Sequence, residues 1–260
     1  MIWHFIDSAS SSGEFNMELD IFLSDICKED EAFFRLYRWN PYTISLGANQ
    51  NISEIDIDKC KEDNIGIVTR PTGGRAILHA GELTYSLIIP VGYGLTARDI
   101  YNKVSITLST ALAKYHHKLS SVELENVQPK FKELLNNPSG SLCFASTAKS
   151  EVKYEGKKLI GSAQRKMNKV ILQHGSILCG KKHSELPTYL LDKTHTQELK
   201  NELFNKTIEI ETIINQKIDY TSLAGAIKLQ FQNDWDMTLN DSTKLFISKF
   251  KVAKETFFKE

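Results

Sequence analysis

Short apolar runs separated by polar breaks mark the first part of the chain. Alternating and aromatic positions at 2–6, 33–39 and 43–46 predict strands, and Asn40-Pro41 predicts a turn between the last two. Apolar residues recur at helical spacing from Glu14 onward and predict a helix. The charged stretch 52–64, with its spaced apolar residues, predicts a second helix.

A glycine-containing loop follows the apolar run 65–69. It reads Arg70-Pro71-Thr72-Gly73-Gly74-Arg75, and two further apolar runs, 76–78 and 83–89, come after it. The predicted order is strand, loop, strand, strand. A nucleotide-binding βαβ unit differs, because its glycine loop opens directly into a helix.

The remainder of the chain alternates between helical and strand patterns. Positions 97–119 carry one apolar stripe and predict a helix, and 120–142 predict a long irregular connection with a short helix, ending at Cys143. Strands are predicted at 152–154 and 158–160 around a Glu155-Gly156 turn, and at 170–178. The part after Pro187 is mainly helical, including 220–231 and 243–257. No repeat or linker divides the chain, so we expect residues 1–260 to form a single catalytic domain.

Composition and charge narrow the possible partners. The chain has 260 residues, of which 41% are hydrophobic and 25% charged, as in ordinary globular proteins. Its 32 basic residues balance its 32 acidic residues, which gives no reason to expect nucleic acid or a membrane surface as a partner. No apolar stretch approaches the length of a membrane span, and the first residues lack a signal-peptide pattern, so we expect a cytoplasmic protein.

The four cysteines, Cys27, Cys60, Cys143 and Cys179, are scattered along the chain. They form no CxxC pair and no cluster with histidine, so the sequence predicts neither a metal site nor a disulfide framework. We expect free thiols.

The adjacent glycines of the loop suit a binding site. Gly73 and Gly74 can adopt positive φ and present main-chain N–H groups to an anionic or carbonyl oxygen, with Arg70 and Arg75 on either side. A tight turn between strands with solvated arginines would use the same residues. His79, in a strand-like segment, fits either a site or a structural role.

Longer strings identify a family. The segment RPTGGRAILHAGELTYS, positions 70–86, closely resembles the glycine-loop motif of the biotinyl/lipoyl protein ligase and transferase superfamily. More narrowly, it resembles octanoyltransferases that are similar to lipoate ligases in sequence. Four other strings agree in order over roughly the first 180 residues: FNMELD (15–20), RLYRWNPYTISLGANQ (35–50), GKKLIGSAQ (156–164) and LQHGSIL (172–178).

The resemblance implies an α/β fold of the α+β type, with a mixed, mainly antiparallel sheet curved around an acyl pocket. It also implies the residues that bind the acyl group: Arg70, Gly73, Gly74, Arg75, His79, Gly161, Ser162, Ala163, His174 and Gly175.

Cys143 and Lys158 carry the predicted chemistry. Thiolates attack thioesters readily, and the product remains activated toward an amine. From its residue type alone, Cys143 fits an inert small apolar residue better than a nucleophile, because an isolated cysteine is usually inert. In the transferases that this sequence resembles, a Cys-Phe pair precedes a glycine-lysine strand, and here Cys143-Phe144 and Lys158 occupy those places. The resemblance implies that Lys158 lowers the pKa of the thiol and that Lys157 is a solvated neighbour.

The sequence departs from the family pattern at two places. Ala80-Gly81 follow His79 where the family has an acidic residue, which predicts a different orientation of His79. The stretch after Cys143-Phe144 lacks the acidic and aromatic residues that the family has there, which bears on substrate preference.

The leading hypothesis is an octanoyltransferase without metal or cofactor. Cys143 takes octanoyl from acyl carrier protein, and a lysine of a lipoyl domain or of glycine-cleavage H protein takes it from the enzyme. Three alternatives stay open. An ATP-dependent lipoate ligase would use the same loop and lysine without a nucleophilic cysteine. An amidotransferase would move octanoyl between carrier proteins, and a binding module would keep the fold without the chemistry.

Overall fold

The structure, a computed structural model, describes residues 1–125 and 151–257. Its strands form two sheets. In chain order they are β1 (Ile2–Ser11), β2 (Glu31–Trp39), β3 (Thr43–Leu46), β4 (Gly66–Thr69), β5 (Ile77–His79), β6 (Glu82–Pro90), β7 (Val122–Leu124), β8 (Val152–Tyr154), β9 (Lys157–Lys166), β10 (Val170–Leu178) and β11 (Leu239–Asp241).

The large sheet has eight strands in the order β11-β1-β2-β6-β10-β9-β8-β7. Strand β1 pairs in parallel with β2 and β11, and every other neighbouring pair is antiparallel. A second sheet, β4-β3-β5, has three short strands. The predicted turn at Asn40-Pro41 therefore joins strands of different sheets, and the peptide bond there is cis.

The described helices are α1 (Gly13–Ile26), α2 (Ile57–Glu62), α3 (Ala97–Tyr115), α4 (Thr196–Lys206), α5 (Ile210–Ile214), α6 (Tyr220–Asp234) and α7 (Thr243–Phe257). Short 3-10 helices lie at Ile52–Glu54, Val91–Tyr93, His117–Ser121 and Lys181–Tyr189. Within the described ranges, no helix is both long and apolar enough to cross a bilayer.

The large sheet is covered on both faces, which explains why β6 is buried along its whole length. Tyr85, Leu87 and Ile89 pack with the apolar stripes of α3 and α6, whereas Ile88 packs on the opposite side in a cluster with residues of α1 and α7. Successive strand residues point to opposite faces of a sheet, so β6 contributes to both cores. The small sheet packs separately against α2, α4 and the 181–189 segment.

Helix α1 shows how local sequence fixes an element close to the site. The Ser12 hydroxyl accepts from the main-chain N–H of Phe15 at 3.2 Å, which caps the first turn. Leu19 and Leu23 then face the core, while Asn16 and Asp20 are also fully buried. Buried polar residues on a helix need partners inside the protein, and those partners lie at the candidate site.

Two segments differ from the sequence prediction. In 120–142 we expected a short helix within an irregular connection, but the described part has the strand β7 at Val122–Leu124. The rest of that connection, including Cys143, lies outside the described residues. The mainly helical part after Pro187 also contributes β11, which pairs with β1.

Candidate active site

Arg70 holds the glycine loop, residues 70–75, from within. Its buried guanidinium donates to the carbonyl of Gly73 at 2.9 Å and to that of Arg75 at 2.7 Å. It also donates to the main-chain carbonyl of Ser45 on β3 at 2.9 Å. The interpretation of Arg70 as a solvated arginine is therefore wrong, whereas Arg75 is only half-buried.

The loop rests on the segment that follows β3. Gly74 has a φ of 95°, in the left-handed region, and a Cβ on Gly47 would stand 2.0 Å from the Gly74 carbonyl oxygen. The N–H of Ala48 donates to the carbonyl of Thr72 at 3.0 Å. Within the described chain, the N–H groups of Thr72, Gly73 and Gly74 donate to no other residue. The loop thus uses its carbonyls for its own structure, and the three N–H groups have no protein acceptor in the described chain.

A narrow cavity, open to solvent at one side, lies between the two sheets. Seven residues of the predicted site line it: Arg70, His79, Gly161, Ser162, Ala163, His174 and Gly175. Residues without a predicted role complete the lining: Met17, Tyr37, Trp39, Ser45, Ile77, Thr84 and Ser176. Gly73, Gly74 and Arg75 belong to the loop but are not among the residues that line this cavity.

His79, the last residue of β5, is hydrogen bonded at both ring nitrogens. Its Nε2 lies 2.7 Å from the Ser45 hydroxyl, and its Nδ1 lies 2.8 Å from the Glu82 carboxylate. The Trp39 indole stacks on the ring, with centroids 3.9 Å apart. The family's acidic residue is absent directly after His79, but Glu82 places a carboxylate against the ring from three positions further along.

Glu82 stays ionised although it is buried. Burial raises the pKa of Glu82, but His79 and hydrogen bonds from Thr84 and Ser176 lower it by more, so the pKa lies below its ordinary value. The two hydroxyls donate to the same carboxylate oxygen at 2.6 and 2.8 Å. The carboxylate therefore organises this wall of the cavity.

A second buried carboxylate, Asp20 of α1, lies between Arg35 and His174. Arg35 forms a hydrogen-bonded ion pair with Asp20 in which both side chains are fully buried, and Nδ1 of His174 lies 3.6 Å from the other Asp20 oxygen. Burial raises the pKa of Asp20, but Arg35 and His174 lower it by more. The Nε2 of His174 lies 2.6 Å from the Thr72 hydroxyl, which connects β10 to the glycine loop.

The segment Gly161-Ser162-Ala163 lies on β9 beside β10. The Ser162 hydroxyl is 2.7 Å from the Tyr85 hydroxyl, which also accepts from Gln173 at 3.0 Å. Burial raises the pKa of Tyr85 to about 12, so this phenol is neutral. Gly175 pairs with both Ser162 and Tyr85, and a Cβ there would stand 2.6 Å from the Tyr85 ring. The glycine therefore permits the close packing of this wall.

Lys158 begins the same strand and is buried with Glu151. The ammonium lies 2.8 Å from the Glu151 carboxylate, and the two side chains are 1% and 5% exposed. Lys157, predicted to be a solvated neighbour, is half-buried with its ammonium over the Phe204 ring. Lys158 is therefore not a solvated surface lysine, since its ammonium is held inside the protein.

The segment that contains Cys143 starts and finishes close to Lys158. Residues 126–150 lie outside the described residues, but the residues that flank them are joined, because the N–H of Glu125 donates to the carbonyl of Glu151 at 2.8 Å. Cys143 precedes Glu151 by eight positions in the sequence. The distance between Cys143 and Lys158 stays a matter of prediction.

The three cysteines in the described chain are buried free thiols. Burial raises the pKa of Cys27 to about 12 and that of Cys60 to about 11, and it also raises the pKa of Cys179. Reactive cysteines need an accessible thiolate, so these three have the properties expected of inert side chains. Among the residues that the structure places, no group of three or more His, Cys, Asp or Glu side chains could hold a metal ion.

Sequence reasoning assigned no role to four residues that the structure brings to the site. They are Asp20, Thr72, Glu82 and Glu151. The first three lie inside the strings that carry the family resemblance, and Glu151 lies between Cys143 and Lys158. For Asp20, Glu82 and Glu151, the signal in the sequence was an acidic residue within or near a motif, because a buried carboxylate needs a partner of opposite charge or hydrogen-bond donors.

Comparison with known proteins places the chain in a family. The lipoyl protein ligase A/B catalytic domain matches residues 12–232, and the chain belongs to this family. Among curated relatives, octanoyltransferase LipM of Staphylococcus epidermidis is 35% identical over 239 residues, covering 89% of this chain and 86% of that protein. Octanoyltransferase LipM of Bacillus subtilis is 35% identical over 245 residues, covering 91% and 87%.

Solved structures agree on the fold. A bipartite lipoate protein ligase from Thermoplasma acidophilum, studied with its E2 lipoyl domain, superposes with a TM-score of 0.74 at 15% identity, covering 96% of this chain and 93% of that one. A lipoate-protein ligase A bound with ATP superposes with a TM-score of 0.73 at 16% identity, covering 96% and 95%. The predicted family and the predicted α/β fold with a mainly antiparallel sheet are thereby confirmed.

Proposed function

We propose that this protein transfers octanoyl from acyl carrier protein to Cys143 and then to a lysine of a lipoyl domain or of glycine-cleavage H protein. The relatives named octanoyltransferase LipM confirm the general activity, which is octanoyl transfer in lipoate biosynthesis. The family likewise implies a carrier-protein partner and a lipoyl-domain acceptor. The thioester relay and the identity of the donor are the parts that we propose.

The placement of Lys158 carries the proposal. Its ammonium is buried at the start of β9, three positions before Gly161 at the cavity, and it is paired with Glu151. A buried cation stabilises a nearby thiolate more strongly than a solvated cation does, because the low local dielectric strengthens the attraction between the two charges. Cys143 belongs to residues 126–150, and the residues that flank this segment, Glu125 and Glu151, are hydrogen bonded to each other. Glu151 in turn is paired with Lys158.

The relay needs no activating nucleotide. The Cys143 thiolate attacks the thioester carbonyl, a carbon–sulfur bond to Cys143 forms, the bond to the carrier sulfur breaks, and the carrier leaves as its thiolate, which takes a proton from water. The neutral amine of the acceptor lysine then attacks the enzyme thioester, an amide bond forms, the carbon–sulfur bond to Cys143 breaks, Cys143 leaves as the thiolate, and the amine releases one proton to water. The loop N–H groups of Thr72, Gly73 and Gly74 are suited to receive the carbonyl oxygen in both steps.

Intact-mass analysis tests the proposal. The wild-type protein incubated with octanoyl-acyl carrier protein, without ATP, should gain one octanoyl group, and Cys143→Ala should gain none. Cys60→Ala is the matched control, since its thiol is buried and its pKa is raised, and it should be acylated like the wild type. An unmodified wild-type protein that incorporates lipoate only with ATP would overturn the relay and indicate a ligase.

A further inference from the structure

Three buried side chains connect α1 to the glycine loop through β10. The Thr72 hydroxyl lies 2.6 Å from Nε2 of His174, and Nδ1 of the same ring lies 3.6 Å from the Asp20 carboxylate. We propose that Asp20 and His174 are positioning residues, which hold Thr72 and with it the N–H groups of the glycine loop in the geometry that receives the acyl carbonyl. This role rests on the proposed function, because it assigns the loop to the acyl group.

The proton positions follow from the partners of the ring. Burial lowers the pKa of His174, with Asp20 acting against this and Arg70 adding to it, so the imidazole is neutral and has one donor and one acceptor. The Asp20 carboxylate can only accept, and Nδ1 faces it. We therefore assign the proton to Nδ1, which the carboxylate at 3.6 Å attracts, and this leaves Nε2 to accept from the Thr72 hydroxyl. Asp20 thus selects the form of His174 that accepts from the loop.

Asp20 can do this because Arg35 fixes it. The Arg35 guanidinium also donates to the Asn16 carbonyl at 3.1 Å and to the Ser8 hydroxyl at 2.9 Å, so the ion pair is attached to α1 and β1. His174 is held in the middle of β10 by ladders to β6 and β9. The two positioning residues therefore stand on rigid elements, whereas Thr72 stands on a loop.

The Thr72 side chain is a separate attachment from those that shape the loop. Arg70 bonds carbonyls of the loop itself, and Ala48 bonds the main chain of Thr72. The hydroxyl of Thr72 ties the loop to β10, the strand that forms the opposite wall of the cavity. Thr72→Val keeps the size and shape of the side chain, so its effect reports the hydroxyl alone.

Hydrogen exchange and kinetics on Thr72 variants test the proposal. Leaving Nε2 of His174 buried without a donor should speed amide exchange in 70–76 by roughly tenfold or more and should raise KM for octanoyl-acyl carrier protein by a similar factor. Thr72→Ser, which keeps the hydroxyl, should restore both. Thr107→Val is the control, because it removes another buried threonine hydroxyl, bonded to Trp235 at 3.2 Å, and should change neither.

The tautomer of His174 gives a readout that does not depend on activity. Nitrogen-15 NMR of the wild type should show a protonated Nδ1 and an unprotonated Nε2 on His174, and this measurement decides the case if Thr72→Val does not fold. A proton on Nε2 would overturn the proposal, as would unchanged loop exchange and KM in a folded Thr72→Val. The tautomer of His174 and the loop exchange of Thr72→Val can contradict this proposal while Cys143 is still acylated. A failure of the positioning role can therefore be distinguished from a failure of the thioester relay.

Discussion

Gly47→Ala should displace the glycine loop, although Gly47 is not itself a predicted site residue. Gly47 lies outside the positive-φ region, so alanine fits its backbone, but the new Cβ would stand 2.0 Å from the Gly74 carbonyl oxygen. Contacts of a Cβ below about 3 Å are essentially absent from packed proteins, so the oxygen must move by about 1 Å. The Gly74 oxygen is a backbone atom, and the backbone fixes the position of the new Cβ. Neither atom can rotate away as the end of a long side chain would.

We expect this shift to reduce catalysis far more than stability. A misplacement of about 1 Å at a reacting group costs about 100-fold in rate, while overpacking typically costs about 1–3 kcal/mol. The acylation rate of Cys143, followed by intact mass with octanoyl-acyl carrier protein, measures the first effect, and urea unfolding measures the second. Gly92→Ala, where a Cβ would meet nothing within 4 Å, is the control. A Gly47→Ala protein that is acylated at the wild-type rate would refute the role given to the loop.

Three further predictions follow from buried groups. Lys158→Met should destabilise the fold by about 3–5 kcal/mol, because the buried Glu151 carboxylate loses its ion pair with Lys158, and adding Glu151→Leu should recover most of the loss in urea unfolding; additive effects would contradict this. Lowering the pH from 7.5 to 5.5 should weaken the fold by up to about 1.4 kcal/mol per unit for each of His174 and His183, because burial lowers both pKa values and the unfolded chain binds their protons first, below about 6.5. An equal free energy of unfolding at pH 7.5 and at pH 5.5 would contradict this prediction. Gly175→Ala should cost about 1–3 kcal/mol and slow acyl transfer, since its Cβ meets three atoms at 2.6–2.7 Å; wild-type stability and turnover would exclude that packing.

Elements with strong local patterns were predictable from the sequence. The apolar stripe of α1, the aromatic run of β2 and the Glu155-Gly156 turn between β8 and β9 each depend on neighbouring residues, and the structure has all three elements. Both residues of that turn have positive φ, 49° and 74°, which suits a two-residue hairpin. The glycine loop was located because its string is long and specific.

Pairings between distant segments were not predictable in the same way. Strand β11 is three residues long and pairs with β1 more than 230 positions away, so no local pattern announces it. The partners of Lys158 and His79 depend on which carboxylates the fold buries beside them, and periodicity cannot rank the acidic residues of the chain. Their distances to Glu151 and Glu82 became visible only in three dimensions.

Polar residues around the cavity bond extensively to one another, although the Oε2 atom of Glu82 is buried without a hydrogen-bond partner in the described part of the chain. Arg70 donates to the Ser45 hydroxyl at 3.0 Å, that hydroxyl lies 2.7 Å from Nε2 of His79, and Nδ1 of His79 lies 2.8 Å from the Glu82 carboxylate. Thr72, His174 and Asp20 repeat the same order of hydroxyl, imidazole and carboxylate.

Each of these two series of side chains ends at an ionised carboxylate, Glu82 or Asp20. Each begins at a hydroxyl, which belongs to Ser45 on the small sheet or to Thr72 on the glycine loop. Burying an acyl chain against unpaired polar groups would cost about 1–3 kcal/mol per group, which these internal bonds avoid for the atoms that make them. The same bonds attach the small sheet and its loop to the large sheet. In the function that we propose, the wall that contacts the acyl chain would therefore also position the glycine loop.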